Sequence, residues 1–187
     1  MTEQNSFNTF EQAVLPHVDA AYNLARWMTR NEQDAQDVVQ ESYFRAFRFF
    51  AGFRGGNGRA WLLQIVRTTG YTWLRANRLL QQAAEFDENV FPRDSRTLNP
   101  EETVLQNDSS AMLRKALEML PPNFREVLIL RELEEMSYRE IAEITGMPAG
   151  TVMSSLSRAR GHLRQALTSL MSKDVLATPG RIEAVKI

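Results

Sequence analysis

The stretch SYREIAEITGMPAGTVMSSLSRAR, residues 137–160, decides the fold class of this chain. Ser137 followed three positions later by Glu140 is a capping box, in which hydroxyl and carboxylate satisfy each other's backbone donors at a helix start. Gly146 supplies the left-handed turn that ends that helix, and Pro148 opens the next. The second helix has an apolar seam of Val152, Leu156, Ala159, Leu163, Leu167 and Leu170, whose steps of four and three make it the most regular helix in the chain. A short capped helix, a tight turn containing glycine and a second helix form a helix-turn-helix, a motif whose second helix lies in a DNA major groove.

With Val152, Leu156 and Ala159 turned to the core, Ser154, Ser157 and Arg158 point the other way, flanked by Thr151, Met153 and Ser155. Arg158 suits a guanine edge or a phosphate, and the serines suit either partner. Cations are expected at two of these positions, which instead hold Met153 and Ser155. An ordinary helical hairpin with solvated arginines is the alternative for the same spacing. From residue 144 to 173 there are no acids, only Arg158, Arg160, Arg164 and Lys173, which favours DNA.

Working outward, Asp108 is a plausible cap for a helix carrying Met112, Leu113, Ala116, Leu117 and Leu120, which Pro121-Pro122 stops. Asn123 can cap the next helix, with Phe124, Val127, Leu128 and Leu130 inside. These helices make a second domain over 108–171. In the amino half, Phe10, Val14, Val18, Ala21, Ala25 and Met28 mark a first helical stretch divided by Pro16. A second helix over 32–50 turns Ala35, Val38, Val39, Ser42 and Ala46 inward. The glycine-rich FRGGNGR, 53–59, breaks the period before a third helix over 60–80, with Trp61, Leu62, Ile65, Val66, Thr69 and Trp73 on one side. Residues 81–107, with two prolines and six acids, read as a flexible acidic linker, and 172–187 as a tail without assigned role. The fold class is therefore all-α: two small helical domains, 1–80 and 108–171, joined by that linker.

Composition narrows the function. Zero cysteines among 187 residues fit a reducing cytoplasm and exclude thiolate sites. The two histidines, His17 and His162, stand far apart without a carboxylate pattern, so neither metal nor other cofactor is expected. No apolar run long enough to span a bilayer occurs, so no membrane insertion is expected. No nucleophile–base set, carboxylate pair or phosphate loop suggests an enzyme. The net charge of −1 hides a segregation along the chain. Residues 42–84 hold seven arginines and no acid, interleaved with nine aromatic rings. Cations that follow phosphates beside rings that stack on bases suit single-stranded nucleic acid, although Phe47 and Trp61 read better as packing residues. The glycine loop either lets backbone approach a flipped nucleotide or simply connects two helices. Just before this block, Asp37, Gln40 and Glu41 form a polar strip opposite Val38 and Val39, either a docking face or solvated surface.

Taken together, the chain over about residues 7–170 resembles the extracytoplasmic-function (ECF) class of sigma-70 family factors. DAQDVVQESYFRAF, 34–47, resembles the family's core-polymerase-binding helix, and AWLLQIVRTTGYTWLR, 60–75, its promoter-melting helix. The segment 120–164 resembles its DNA-reading carboxyl domain. The resemblance implies an alternative sigma factor that binds core RNA polymerase, through the beta-prime clamp and the beta subunit, and directs it to promoter DNA. It further implies that Asp37, Gln40 and Glu41 dock on the clamp. Arg54, Asn57, Arg59, Arg67, Thr68, Tyr71, Arg75 and Arg78 would hold the unpaired strand at the minus-ten element. Tyr138, Arg139, Thr151, Met153, Ser154, Ser155, Ser157 and Arg158 would read the minus-thirty-five element. An anti-sigma factor is an expected partner, and the linker would thread towards the polymerase active-site channel. Thr68 and Thr72 depart from the asparagine and aspartate frequent in the family. A free-standing helix-turn-helix regulator and a helical protein–protein adaptor are the alternative readings.

Overall fold

The computed structural model describes residues 9–86 and 108–177, and every regular element among them is helical. A helical stretch over 9–13 leads into a 3-10 turn, Leu15–His17, which holds Pro16 where a missing N–H does no harm. Helix α1, Val18–Thr29, then buries Ala20, Ala21, Leu24, Ala25 and Met28, and ends on Arg30 in the left-handed region at φ 61°. Val18, expected on the inner seam, is 48% exposed. The tighter 3-10 turn resets the helical phase, so the stripe entering with Phe10 and Val14 does not continue through it.

Helix α2, Glu32–Phe49, is capped by Asn31, whose side chain accepts from the Asp34 amide at 3.0 Å. Ala35, Val38, Ser42 and Ala46 face inward, and the Ser42 hydroxyl is satisfied by the Val38 carbonyl at 2.6 Å. A 3-10 turn, Phe50–Gly52, leads to the glycine loop, where Gly55 and Gly56 take positive φ of 82° and 95°. Helix α3, Gly58–Phe86, follows. Asn57 accepts from the Ala60 amide at 3.0 Å and so caps its start. Gly58 is there because a Cβ would stand 2.0 Å from the Ala13 carbonyl oxygen. The helix passes the expected end at 80, because residues 81–84 are two glutamines and two alanines, which sustain a helix until the acids and prolines begin. Residues 81–86 of the expected acidic linker are therefore helix, and 87–107 lie outside the described residues.

The carboxyl domain comprises α4 (Asp108–Glu118), α5 (Pro122–Leu128), a π turn (Ile129–Leu133), α6 (Tyr138–Thr145) and α7 (Ala149–Ala177). Two cap assignments shift. Asp108 already lies within α4, and α5 is entered through Pro121 with Pro122 in its first turn, leaving Asn123 inside the helix. Leu113, expected inward, is 44% exposed. Helix α7 continues through Ala177, so the supposed tail from 172 begins as helix and only 178–187 fall outside the described residues. The capping box at Ser137 and Glu140 is formed in both directions, and Gly146 ends α6 at φ 72°.

Leu24, Leu62 and Leu63 fill the amino-terminal core; Ile129, Leu130, Ile141, Ile144 and Leu156 fill the carboxyl-terminal one. Each such side chain contributes about 1.5–3 kcal/mol relative to exposure. The two domains also pack on each other, α1 against α5 and α3 against α6. Arg125 joins them. Its side chain is 2% exposed and donates to the carbonyls of Leu117, Glu118 and Leu120 at the end of α4, and to that of Trp27 in α1 at 3.0 Å. Burial, with Arg30 nearby, pulls its pKa down to about 10, so the guanidinium stays charged at neutral pH.

Candidate nucleic-acid interface

Val152, Leu156 and Ala159 are buried on the inner side of α7, and the two donors at its start, the amides of Thr151 and Val152, bond to the Pro148 carbonyl at 2.8 and 3.0 Å. Thr151, Met153, Ser154, Ser157 and Arg158 are consequently exposed together on one face. Met153 is 57% exposed, whereas Ser155 is half-buried at the edge of the face. The Ser154 hydroxyl donates to the Thr151 carbonyl at 3.0 Å. Arg160, one step round, is turned away to Glu132 at 2.8 Å. On α6, Arg139 projects into solvent with Glu143 at 3.4 Å, and Tyr138 sits beneath the Arg131 guanidinium, 5.1 Å from its ring centre. The hydroxyl and backbone N–H of Ser137 hold the Glu140 carboxyl below its usual range.

The aromatic and cationic face of the amino domain is built differently. Phe50, Phe53 and Trp61 pack on one another with ring centres 5.0–6.1 Å apart, so Trp61 is a packing residue as expected. Phe47 is not: it touches Phe10 edge-on, yet 54% of it remains exposed, and Phe44 and Phe49 beside it are more exposed still. Gly52, Phe53, Arg54, Gly55, Asn57, Ala60, Trp61 and Gln64 line an open cleft of about 290 Å³, into which Glu143 projects from the other domain. Arg54, Thr68, Arg75 and Arg78 are exposed, and the Thr68 hydroxyl is satisfied by the Gln64 carbonyl at 2.9 Å.

The remaining four strand candidates are engaged by acids of the carboxyl domain. Asn57 donates to Glu140 at 2.7 Å, and Arg59 pairs with Glu134. Arg67 lies 2.6 Å from Glu126, an ionic contact outside hydrogen-bond geometry, and Tyr71 donates to the other oxygen of the same carboxylate at 3.0 Å. Asn23 of α1 also donates to Glu134, at 3.0 Å. Burial pushes the Glu126 carboxyl up from its usual range, while Arg67 and Tyr71 draw it back. The Tyr71 phenol is raised, by burial first and then by Glu126. The block that is acid-free in sequence thus finds its acids across the domain boundary. Glu126, Glu134, Asn23 and Arg125 carry no signal in sequence beyond being charged or polar residues in or beside helical segments.

Asp37, Gln40 and Glu41 lie exposed in one strip along α2, with Glu41 paired to Arg45 one turn on at 2.6 Å. Among the described residues, no group of acids or histidines could hold a metal, and no helix is long and apolar enough to cross a membrane.

Comparison with known proteins matches residues 13–87 to the sigma-70 region 2 family and residues 110–163 to sigma-70 region 4. The chain is 31% identical over 172 residues to an ECF RNA polymerase sigma factor, SigE, of Mycolicibacterium smegmatis, covering 91% of this chain and 66% of that protein. It is 34% identical to the ECF RNA polymerase sigma-E factor of Haemophilus influenzae, covering 79% of this chain and 81% of that one. Among solved structures, the sigma factor RpoE of Bartonella quintana, in complex with the anti-sigma factor NepR, superposes with a TM-score of 0.69 at 30% identity, covering 86% of this chain and 97% of that chain. With both domains in order and the helix-turn-helix formed, the chain belongs to the ECF group of the sigma-70 family, the alternative sigma factors that direct RNA polymerase to specific promoters.

Proposed function

We propose that this chain recognises its promoters with two separate grips. The observation that carries this reading is the exposed row Thr151, Met153, Ser154, Ser157 and Arg158, set opposite a buried seam on the second helix of a helix-turn-helix. This row enters the major groove at the minus-thirty-five element, Arg158 contacting a guanine or a phosphate, with Tyr138 and Arg139 beside it. The amino-terminal cleft and its arginines hold the unpaired strand at the minus-ten element, and the strip Asp37, Gln40 and Glu41 docks on the polymerase clamp. Chemistry belongs to the polymerase, and the chain itself works in the cytoplasm without catalytic groups. An anti-sigma factor is a fitting partner, because the related RpoE was solved in complex with one.

The grips separate experimentally. In holoenzyme, Arg75→Ala with Arg78→Ala should abolish permanganate reactivity of unpaired promoter thymines while sparing duplex binding, whereas Arg158→Ala should weaken both. Equal effects of the two variants on duplex binding would contradict the division of labour. Replacing Asp37, Gln40 and Glu41 together by alanine should remove co-elution with core polymerase without lowering the melting temperature; retained co-elution would show the strip to be solvated surface.

A further inference from the structure

Helix α2 carries a strip that the core does not use. With about 100° of rotation per residue, Asp37, Gln40, Glu41, Phe47 and Arg48 all lie within about 60° of Phe44, turned away from the buried Ala35, Val38, Ser42 and Ala46. All six are exposed, Phe44 at 62% and Phe47 at 54%. Acids occupy the amino-terminal end of the strip, two aromatic rings its middle and an arginine its carboxyl-terminal end. Neighbours in the same helix leave these charges within reach of a partner. Glu41 gives one oxygen to Arg45 at 2.6 Å, and the Arg48 guanidinium rests over the Phe49 ring, 5.8 Å from its centre. Large rings standing in water beside charges of both signs are the makings of a protein interface.

The order of the charges selects the partner. Gln40 and Glu41 stand four and three residues before Phe44, and Phe47 and Arg48 stand three and four after it. In a second copy of the helix, laid antiparallel about a two-fold axis at Phe44, a step towards one end meets the same step towards the other. Phe44 then packs on its counterpart and on Phe47, and Arg48 comes opposite Gln40 and Glu41 at both ends. A parallel copy would instead set Glu41 on Glu41 and Arg48 on Arg48. We propose that the free chain forms a two-fold dimer through this face of α2, its helices antiparallel and Phe44 at the axis. The contact spans about six residues a side against the roughly 20–30 of a standard interface, so the dimer is weak and reversible. One consequence rests on the reading that Asp37, Gln40 and Glu41 dock on the polymerase clamp. The same strip cannot serve both partners, so core polymerase takes the chain only as a monomer, and the dimer holds surplus chain in reserve.

Sedimentation equilibrium of the full chain, from low to high micromolar loading, measures the association directly. The mean mass should climb from 21.4 kDa towards twice that value, and Phe44→Ser should hold it at 21.4 kDa throughout. Since Phe44 lies outside the core, thermal melting at low loading should be the same in variant and parent. A charge exchange tests the antiparallel pairing without touching the rings. Glu41→Arg alone sets two arginines opposite each other and Arg48→Glu alone sets two glutamates, so each variant should associate about fivefold more weakly than the parent, or worse. Mixed in equal amounts, the two should associate as the parent does, because each then meets the opposite charge in the other. A chain that stays at 21.4 kDa at every loading, a Phe44→Ser variant that associates like the parent, or a mixture no tighter than its separate components overturns the dimer. Titration of core polymerase into the dimer tests the clamp reading separately. One chain per core, with the dimer consumed, supports both. Two chains per core would leave the dimer standing and unseat the clamp reading. If the chain is monomeric throughout and Phe44→Ser loosens it from core, the face belongs to the clamp alone and the dimer falls.

Discussion

The two surfaces assigned to DNA are held in opposite ways. On α7 the row proposed for the groove stands in solvent, its position fixed from behind by Val152, Leu156 and Ala159 and from the helix start by Pro148. On the amino domain, half of the residues proposed for the strand are bonded to acids from the other domain. A duplex reader needs only a rigid helix that projects outward. A strand reader needs cations and open rings, which in a free protein attract whatever anion is near. The difference lies in what each face meets: acids of the other domain on one, solvent on the other.

The largest expected effect falls on the junction. Arg125→Met leaves the carbonyls of Glu118 and Leu120 after α4 and that of Trp27 in α1 without this donor, Leu117 keeping the Leu120 amide, and an unsatisfied buried acceptor costs about 1–3 kcal/mol. Denaturant unfolding should show a loss of at least about 3 kcal/mol for the carboxyl domain, a sum of several such losses. A loss under about 1 kcal/mol would mean that water replaces the guanidinium and that Arg125 joins nothing. Next comes the open face. Arg158→Ala should weaken promoter-duplex affinity of the holoenzyme by about 1–3 kcal/mol, roughly ten- to a hundredfold, with the melting temperature unchanged. An unchanged affinity would put the helix outside the groove.

Smaller effects sharpen the contrast. Ser137→Ala removes the α6 cap and should lower stability by about 1 kcal/mol near neutral pH. The sign of its pH dependence is fixed by Glu140, whose folded value lies below the usual 4.5. That contribution is present above 4.5 and lost as pH falls through the lowered value, so the gap between parent and variant should narrow in acid. A gap independent of pH would show that the hydroxyl acts on the backbone alone. Smallest is Met153→Lys, which should steepen the log-log salt dependence of duplex binding by about 0.9 if the position meets a phosphate. The half-buried Ser155 should give less when changed to arginine.

How far the sequence could be read follows from the range of the forces involved. The helix-turn-helix was legible because a capping box, a glycine at positive φ and a four-three seam are all local, and each is found where spacing placed it. Helix caps near prolines slipped by a residue or two, as at Asn123, since Pro122 itself suits a first turn. Val18 was misplaced because a phase reset at Pro16 leaves no mark in the periodicity. Phe47 was expected to pack and is more than half exposed, because the edge-on contact with Phe10 leaves much of the ring uncovered. The π turn and the reach of Glu126 and Glu134 were illegible. The contacts of these acids join residues 55 to 111 positions apart in sequence, and the π turn, though closed locally by the Glu134 amide on the Ile129 carbonyl, follows no pattern that sets it apart from an α-helix.

Run-off transcription with purified core polymerase over a pooled library of promoter fragments tests promoter direction most directly. Transcripts are expected only when chain and core are combined, from templates sharing two separated elements, with selection for the upstream element lost in Arg158→Ala. Tight, specific operator binding by the chain alone, with no transcripts added by it to core polymerase, would contradict that expectation.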